Sequence, residues 1–321
     1  MEPVIAVIIP CLNEEASIGA VVRDFRAALP SATIYVYDNG STDHTADSAR
    51  EAGAVVRFEP LRGKGNVVRR MFADVEADVY VLVDGDDTYD ASVAPALIER
   101  LVSGQLDMVN GARVTEVEAA YRPGHQFGNA LLTGMVARIF GDRFKDILSG
   151  YRVLSRRFVK SFPALSTGFE TETELTVHAL ELRMPVAEIE TAYKERPAGS
   201  ASKLRTFRDG FRILRTILIL LKEERPLAFF TAAFAILAAV AIALAIPILV
   251  TYERTGLVPR FPTAILAMGT MLLAFLSLTC GLVLDTVSRG RRELKRVAYL
   301  QVPAPAPGAS VPARKRSPGA A

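Results

Sequence analysis

The chain has 321 residues, half of them hydrophobic and 23% charged, with 38 basic and 35 acidic side chains. A net charge of +3, with the basic residues in clusters, excludes the broad basic footprint of a nucleic-acid binder, so no nucleic-acid partner is expected. Two cysteines, Cys11 and Cys280, cannot build a disulfide framework or a CxxC site, and they fit a reducing compartment. The mean hydropathy of +0.24 averages two unlike parts, because the apolar excess lies near the C-terminus. Acidic Glu2 and the short apolar run Val4–Ile9 do not match a cleavable signal.

In chain order, β-branched apolar runs predict strands at Val4–Ile9, Thr33–Tyr37, Ala54–Phe58 and Val79–Val83. Helical periodicity lies between them, at about Glu14–Leu29, Asp43–Ala52 and Asn66–Val75. Strand and helix in alternation predict βαβ units and a mostly parallel sheet covered on both faces. Further on, the pattern predicts a helix at Ala91–Ser103, a strand at Asp107–Asn110, helices at about Gly128–Phe140 and Glu170–Leu182, and a strand at Val186–Ala192.

From Lys203 the character changes. Leu204, Phe207, Phe211, Leu214, Leu218 and Leu221 recur at helical spacing, with Arg205, Arg208, Arg212 and Arg215 on a neighbouring stripe. Alone, this suits a core-facing helix with a solvated basic face as well as a helix lying in a membrane interface. Two long apolar segments beyond it favour the interface. Leu227–Val250 and Phe261–Leu284 carry no charge, and each is long enough to cross a hydrocarbon layer about 30 Å thick. The short link Thr251–Arg260 makes them an antiparallel hairpin. Lys222 and Arg225 precede it, and Arg289, Arg291, Arg292, Lys295 and Arg296 come after it, while the link holds only Arg254 and Arg260. The positive-inside rule then predicts a multi-pass protein of the cell (inner) membrane, with the N-terminal domain and both termini cytoplasmic. The expected domains are an α/β domain at 1–202, a basic interfacial helix at 203–225, a two-helix hairpin at 226–287 and a basic, Pro/Ala-rich tail at 288–321.

Ligands of open α/β sheets bind beyond the carboxyl ends of the strands. Four such ends carry polar motifs here: Pro10-Cys-Leu-Asn-Glu14, Asp38-Asn-Gly-Ser-Thr-Asp43, Arg62-Gly-Lys64-Gly-Asn66 and Asp84-Gly-Asp86-Asp87. The acids after the first two strands suit ribose hydroxyls or a base. Gly63-Lys64-Gly65 permits close backbone approach at a helix start, which suits phosphate. Asp84-x-Asp86 offers hard oxygen ligands to Mg²⁺ or Mn²⁺, which would bridge a diphosphate. A calcium loop does not fit, since Tyr89 and Pro95 stand where Gly and Glu belong. Asp90 suits the start of the next helix.

Asp84-Gly-Asp86-Asp-Thr88 also fits the DxDxT motif of haloacid dehalogenase-type phosphohydrolases, with Gly141-Asp142 to Asp146 as their GDxxxD. In that alternative Asp84 attacks phosphorus and Asp86 is the acid/base. Their motif usually ends the first strand, however, and here it ends the fourth. Basic candidates for phosphate or acceptor are Arg113, Arg122 with His125, Arg152 in Ser149-Gly-Tyr-Arg152, and the loop Arg196-Pro-Ala-Gly-Ser-Ala-Ser202-Lys203 just before the interfacial helix. His178 lies in a helical stretch and reads as structural.

With these motifs the sequence resembles the family 2 glycosyltransferases, and within them the polyprenyl-phosphate sugar transferases of the dolichol-phosphate mannose synthase type. Ile9-Pro-Cys-Leu-Asn-Glu14, Asp38–Asp43, Asp84-Gly-Asp86, Ser149–Arg152, Gly168-Phe-Glu-Thr-Glu172 and Arg196–Lys203 carry the resemblance. It implies a GT-A fold, with Pro10, Glu14 and Asp38 at the nucleoside and Asp84 and Asp86 at the metal and diphosphate. Lys64, Arg113, Glu172, Arg196, Ser202 and Lys203 become substrate-binding candidates, and Arg122 and Arg152 join the two aspartates as catalytic candidates. It further implies inverting transfer from a nucleotide-sugar donor to a polyprenyl phosphate at the membrane. Asn39 replaces a frequent second aspartate, and no Gln follows Asp86, so a UDP-sugar such as UDP-GlcNAc is favoured over GDP-mannose. A processive polysaccharide synthase is the other rival, but its usual QxxRW motif needs a tryptophan and the chain has none. A homo-oligomer is compatible with the sequence.

Overall fold

A computed structural model describes residues 3–114, 144–166, 168, 170–194 and 222–303, with residues 134 and 219. The helix expected near Gly128–Phe140 and most of the basic helix at 203–225 lie outside the described residues. The chain divides into two compact units, Met1–Gly210 with Lys295–Ala321, and Phe211–Leu294.

In the first unit the apolar runs form β1 (Ile5–Cys11), β2 (Thr33–Asp38), β3 (Val55–Phe58) and β4 (Val79–Leu82). The periodic segments between them form α1 (Glu15–Ala28), α2 (Thr45–Glu51) and α3 (Lys64–Asp74). A short 3₁₀ turn at Ala91–Val93 leads into α4 (Ala94–Ser103), and Asp90 accepts a bond from Ser92 N–H at 2.9 Å as its N-cap. Then come β5 (Met108–Val114), β6 (Arg152–Ser155), α5 (Arg156–Ser161), α6 (Thr171–Glu181) and β7 (Val186–Ala192). Ile18, Val21, Val22 and Phe25 of α1 recur at helical spacing and pack on Val7, Ile9 and Val36 of the sheet.

The sheet has seven strands in the order β3-β2-β1-β4-β6-β5-β7. β1 pairs parallel with β2 and β4, β2 with β3, and β5 with β7. β6 is antiparallel to both of its neighbours, β4 and β5. The sequence pattern misses β6 because it is four residues long and opens on an arginine, and a charge at such a place reads as a loop. In the sheet, the start of β6 comes to the same rim as the carboxyl end of β4, since Leu82 pairs with Arg152.

The last turns of the chain's final long helix belong to the first unit. Lys295 pairs with Glu181 at 2.6 Å, and the Tyr299 hydroxyl donates to Asp107 at 2.7 Å. The second unit holds α7 (Pro226–Thr255) and most of α8 (Phe261–Gln301). Both helices are long and apolar enough to cross a membrane. Small residues let them approach: Ala241, Ala267 and Ala274 are buried, and Gly281 packs under Phe230. Large side chains such as Leu272, 62% exposed, point outward, which in water would be unfavourable.

Candidate active site

Parallel strands end on one rim, and the loops that leave them there meet. Asp38 ends β2 at 8% exposure, and its carboxylate accepts from the Ser41 N–H at 3.1 Å and from the Ser41 hydroxyl. Glu14 lies at the N-terminus of α1, where its backbone N–H donates to Thr45 Oγ1 at 2.9 Å. Pro10 sits in β1 beyond its last pairing with β4, where a missing N–H breaks no bond to that strand.

Asn39 organises the next loop. Its side-chain amide donates to Glu59 O at 2.9 Å and Leu61 O at 2.8 Å, and its oxygen accepts from Gly63 N–H at 2.7 Å. A carboxylate could not donate those two bonds. Asparagine at this position therefore has a structural use, which is to set the loop that launches α3. Gly65 also has a different use from the one the sequence suggests. A Cβ there would lie 2.0 Å from Ser166 O, so the close approach it permits is to the chain's own backbone rather than to phosphate.

Lys64, the first residue of α3, places its ammonium 2.5 Å from Asp84 Oδ1 and against Glu172 Oε1 of α6. Burial pulls this amine's pKa down, but the two carboxylates outweigh burial and raise it above the ordinary lysine value. Glu172 Oε2 is buried with no hydrogen-bond partner among the described residues. Asp86 is 4% exposed, and its Oδ1 accepts from the Thr88 hydroxyl at 2.6 Å and from Thr88 N–H at 3.3 Å. The sequence reading brings Lys64, Asp84, Asp86 and Glu172 forward, and the fold places Lys64 in contact with both Asp84 and Glu172.

Two arginines depart from expectation. Arg152 is read from sequence as a group for substrate phosphate. It is instead fully buried, and its guanidinium donates to Ile147 O at 2.8 Å, Ser149 O at 3.1 Å and Thr176 Oγ1 at 2.9 Å. Burial lowers its pKa to about 10. Arg152 thus holds the 147–149 turn, with its donors directed to the chain itself. Arg113 forks onto Asp146 at 2.7 and 2.9 Å and lies over the Tyr193 ring at 5.5 Å. Arg122, Arg196, Ser202 and Lys203 lie outside the described residues.

Asp84 and Asp86 fit a divalent cation. Both stand at the carboxyl end of β4, and a positive group, the Lys64 ammonium, already rests on Asp84. Among the described residues no three His, Cys, Asp or Glu side chains form a metal cluster. A divalent ion that is held by one or two carboxylates and completed by substrate phosphates needs no such cluster. Sequence reasoning gives no site role to Thr88, Tyr89 or Asn39. Thr88 and Tyr89 stand inside the acidic motif, and their burial would have been the signal.

A largely parallel sheet, with its acidic carboxyl rim and one inserted antiparallel strand, defines a GT-A-like α/β fold. Residues 6–162 match the family model for glycosyl transferase family 2. Glycosyltransferase AglJ of Haloferax volcanii is 32% identical over 305 residues, covering 92% of this chain and 98% of that protein. The chain belongs to glycosyl transferase family 2, and this membership overturns the phosphohydrolase alternative for Asp84. A dolichyl-phosphate hexose transferase of the same organism is 28% identical over 222 residues, 69% of this chain and 95% of that one. Among solved structures, glucosyl-3-phosphoglycerate synthase from Mycobacterium tuberculosis, in complex with Mn²⁺, UDP-glucose and phosphoglyceric acid, aligns with a TM-score of 0.54 and 25% identity. That alignment covers 68% of this chain and 79% of the synthase.

Proposed function

We propose that the protein transfers a sugar from a nucleotide diphosphate to a polyprenyl phosphate, with inversion, at the cytoplasmic face of the cell membrane. The observation that carries this reading is the Lys64–Asp84 ion pair beyond the end of β4, two residues before the buried Asp86, in a family 2 chain that continues into two long apolar helices. The relative named as a dolichyl-phosphate hexose transferase supports the lipid acceptor. The Mn²⁺ and UDP-glucose of the aligned synthase support a metal and a UDP-sugar donor. A UDP-sugar such as UDP-GlcNAc is preferred to GDP-mannose. The domain bounds 1–202, 203–225, 226–287 and 288–321 belong to the same proposal, as does the cytoplasmic placement of both termini.

Asp84 and Asp86 would hold Mg²⁺ or Mn²⁺, which supplies neutralisation of the departing diphosphate. Pro10, Glu14 and Asp38 line the rim where the nucleoside would lie. Lys64 supplies a fixed positive charge beside the diphosphate position. Arg122, Arg196, Ser202 and Lys203 are assigned to the lipid phosphate and its approach. That phosphate, with a second pKa of about 6, is already largely anionic at neutral pH and needs no strong base. Its oxygen bonds to the anomeric carbon as the bond to the diphosphate oxygen breaks, so the residues act by positioning.

The test presents purified full-length protein with radiolabelled UDP- and GDP-sugars, polyprenyl phosphate and Mg²⁺ or Mn²⁺. Label should move into the lipid phase, with a UDP-sugar as the best donor. No transfer from any donor overturns the proposal.

A further inference from the structure

The loop after β4 ends on Tyr89, a residue that neither the sequence motif nor the proposed reaction uses. Tyr89 is 5% exposed and lies between two other rings, with centroids 5.4 Å from Tyr151 and 5.4 Å from Tyr193. It also forms an isolated antiparallel bridge with Tyr193, beside a bond from Lys194 N–H to Thr88 O at 2.8 Å. The ring therefore has little freedom, and its hydroxyl oxygen is fixed in place. That oxygen accepts a bond from the backbone N–H of Gly150 at 2.8 Å.

Gly150 in turn touches Asp84. A Cβ at Gly150 would sit 2.3 Å from Asp84 Oδ2, so the glycine's backbone is the wall against which that oxygen rests. The other oxygen, Oδ1, faces Lys64 at 2.5 Å. The Asp84 carboxylate is thus set from two sides, by a charge and by a backbone. The backbone side belongs to a distant loop of the chain, and the Tyr89 hydroxyl pins it. The antiparallel insertion of β6 makes this contact, because it delivers 149–151 to the rim where β4 ends.

We propose that Tyr89 is a positioning residue for the metal carboxylate Asp84, acting through Gly150. The proposal rests on the reading of Asp84 as a metal ligand. Without the hydroxyl, the buried Gly150 N–H loses its acceptor, and the 149–151 backbone shifts to find another. Asp84 Oδ2 then loses its wall and its orientation toward the cation. Supporting groups of this kind commonly change metal affinity by about 10-fold to 100-fold.

Full-length protein in detergent is titrated with Mn²⁺, with free ion followed by electron paramagnetic resonance, for the wild type, Tyr89→Phe, Gly150→Ala and Tyr80→Phe. Tyr80 is the control: it is another buried tyrosine of the same sheet, with its hydroxyl bonded to Val75 O at 2.8 Å and to Ala77 N–H at 3.0 Å, away from the rim. Tyr89→Phe should weaken Mn²⁺ binding by about 10-fold. Gly150→Ala should weaken it at least as much, and Tyr80→Phe should lower thermal stability while leaving Mn²⁺ affinity unchanged. Wild-type affinity in Tyr89→Phe or in Gly150→Ala overturns the positioning role and leaves the metal reading intact. Loss of affinity in Tyr80→Phe equal to that in Tyr89→Phe also overturns it, because general destabilisation then accounts for both. If the wild type binds no Mn²⁺, with or without UDP, the metal reading fails and this proposal fails with it.

Discussion

Lys64 is a half-buried cation and Arg152 a fully buried one, and their direct partners differ. Lys64 stands at the rim against two carboxylates, Asp84 and Glu172. Arg152 stands inside the sheet against two carbonyls and a hydroxyl. The direction of each pKa records this: carboxylates hold the Lys64 value up against burial, while burial brings Arg152 down to about 10. A cation paired with anions can be exchanged for another cation. One whose direct bonds all go to neutral acceptors is held by their geometry, even though Glu172 and Asp146 act on Arg152 from farther off. The rim is therefore built for ion exchange and the interior for shape. Substitutions in the two regions should fail in different ways.

The largest effect belongs to the rim. Asp86→Asn keeps an oxygen that can still accept from Thr88, so the fold should survive, but it removes the charge proposed to hold the cation. Transfer should fall by about 1,000-fold, a loss of about 4 kcal/mol, with an unchanged circular dichroism spectrum and melting temperature. Near-normal transfer would remove Asp86 from the metal role. Next comes the interior. Arg152→Met strips donors from Ile147 O, Ser149 O and Thr176 and should cost about 2–4 kcal/mol of stability. Arg152→Lys should recover little, because an ammonium cannot span three acceptors as a planar fork does. A melting temperature close to wild type in both variants would mean that the 147–149 turn holds without the guanidinium.

Lys64→Met tests the exchange directly. It leaves Asp84 and Glu172 facing one another without their shared counter-charge, which should cost about 2 kcal/mol or more of stability. Added Mn²⁺ should restore much of that loss, so the rise in melting temperature with Mn²⁺ should exceed the wild-type rise. Arg152→Met should show no such excess. An equal Mn²⁺ response in Lys64→Met and wild type would erase the contrast between the two regions.

Much of the rim was legible in the sequence because parallel strands announce themselves. Each apolar run is followed at once by its polar motif, and the topology of such sheets sends those motifs to one edge. Asp38, Lys64, Asp84 and Asp86 are found this way. Arg152 was misread for the converse reason. A charged residue between Tyr151 and Val153 suggests a surface loop, and only the pairing of β6 between β4 and β5 reveals that it is interior. Asn39 looked like a departure from a family pattern and proves to be the residue that holds the Glu59–Gly63 loop. Tyr89 was hidden among acids, because a hydrogen bond to a backbone 61 residues away leaves no periodic trace.

His178 carries the interior's preference for neutral groups to its smallest measurable effect. It is 1% exposed, and the rings of Phe158 and Phe162 lie 5.3 and 5.4 Å from it. The Ser161 hydroxyl donates to Phe158 O at 3.1 Å, so Ser161 Oγ accepts from His178 Nε2–H, which assigns the Nε2-protonated tautomer. Nδ1 is then a buried lone pair with no partner among the described residues. Burial, helped by the charge of Lys295, lowers the pKa to about 3 from an ordinary value near 6.5. The folded state thus refuses a proton that the unfolded chain accepts, so stability is full above about pH 6.5 and falls as pH drops from there toward 3. The slope from this one group is at most about 1.4 kcal/mol per pH unit. His178→Phe keeps the ring packing and removes the titration. Between about pH 7 and pH 5, its melting temperature should fall less than that of the wild type. Identical slopes would mean that the folded state takes up the proton as readily as the unfolded chain, and that burial does not lower the His178 pKa.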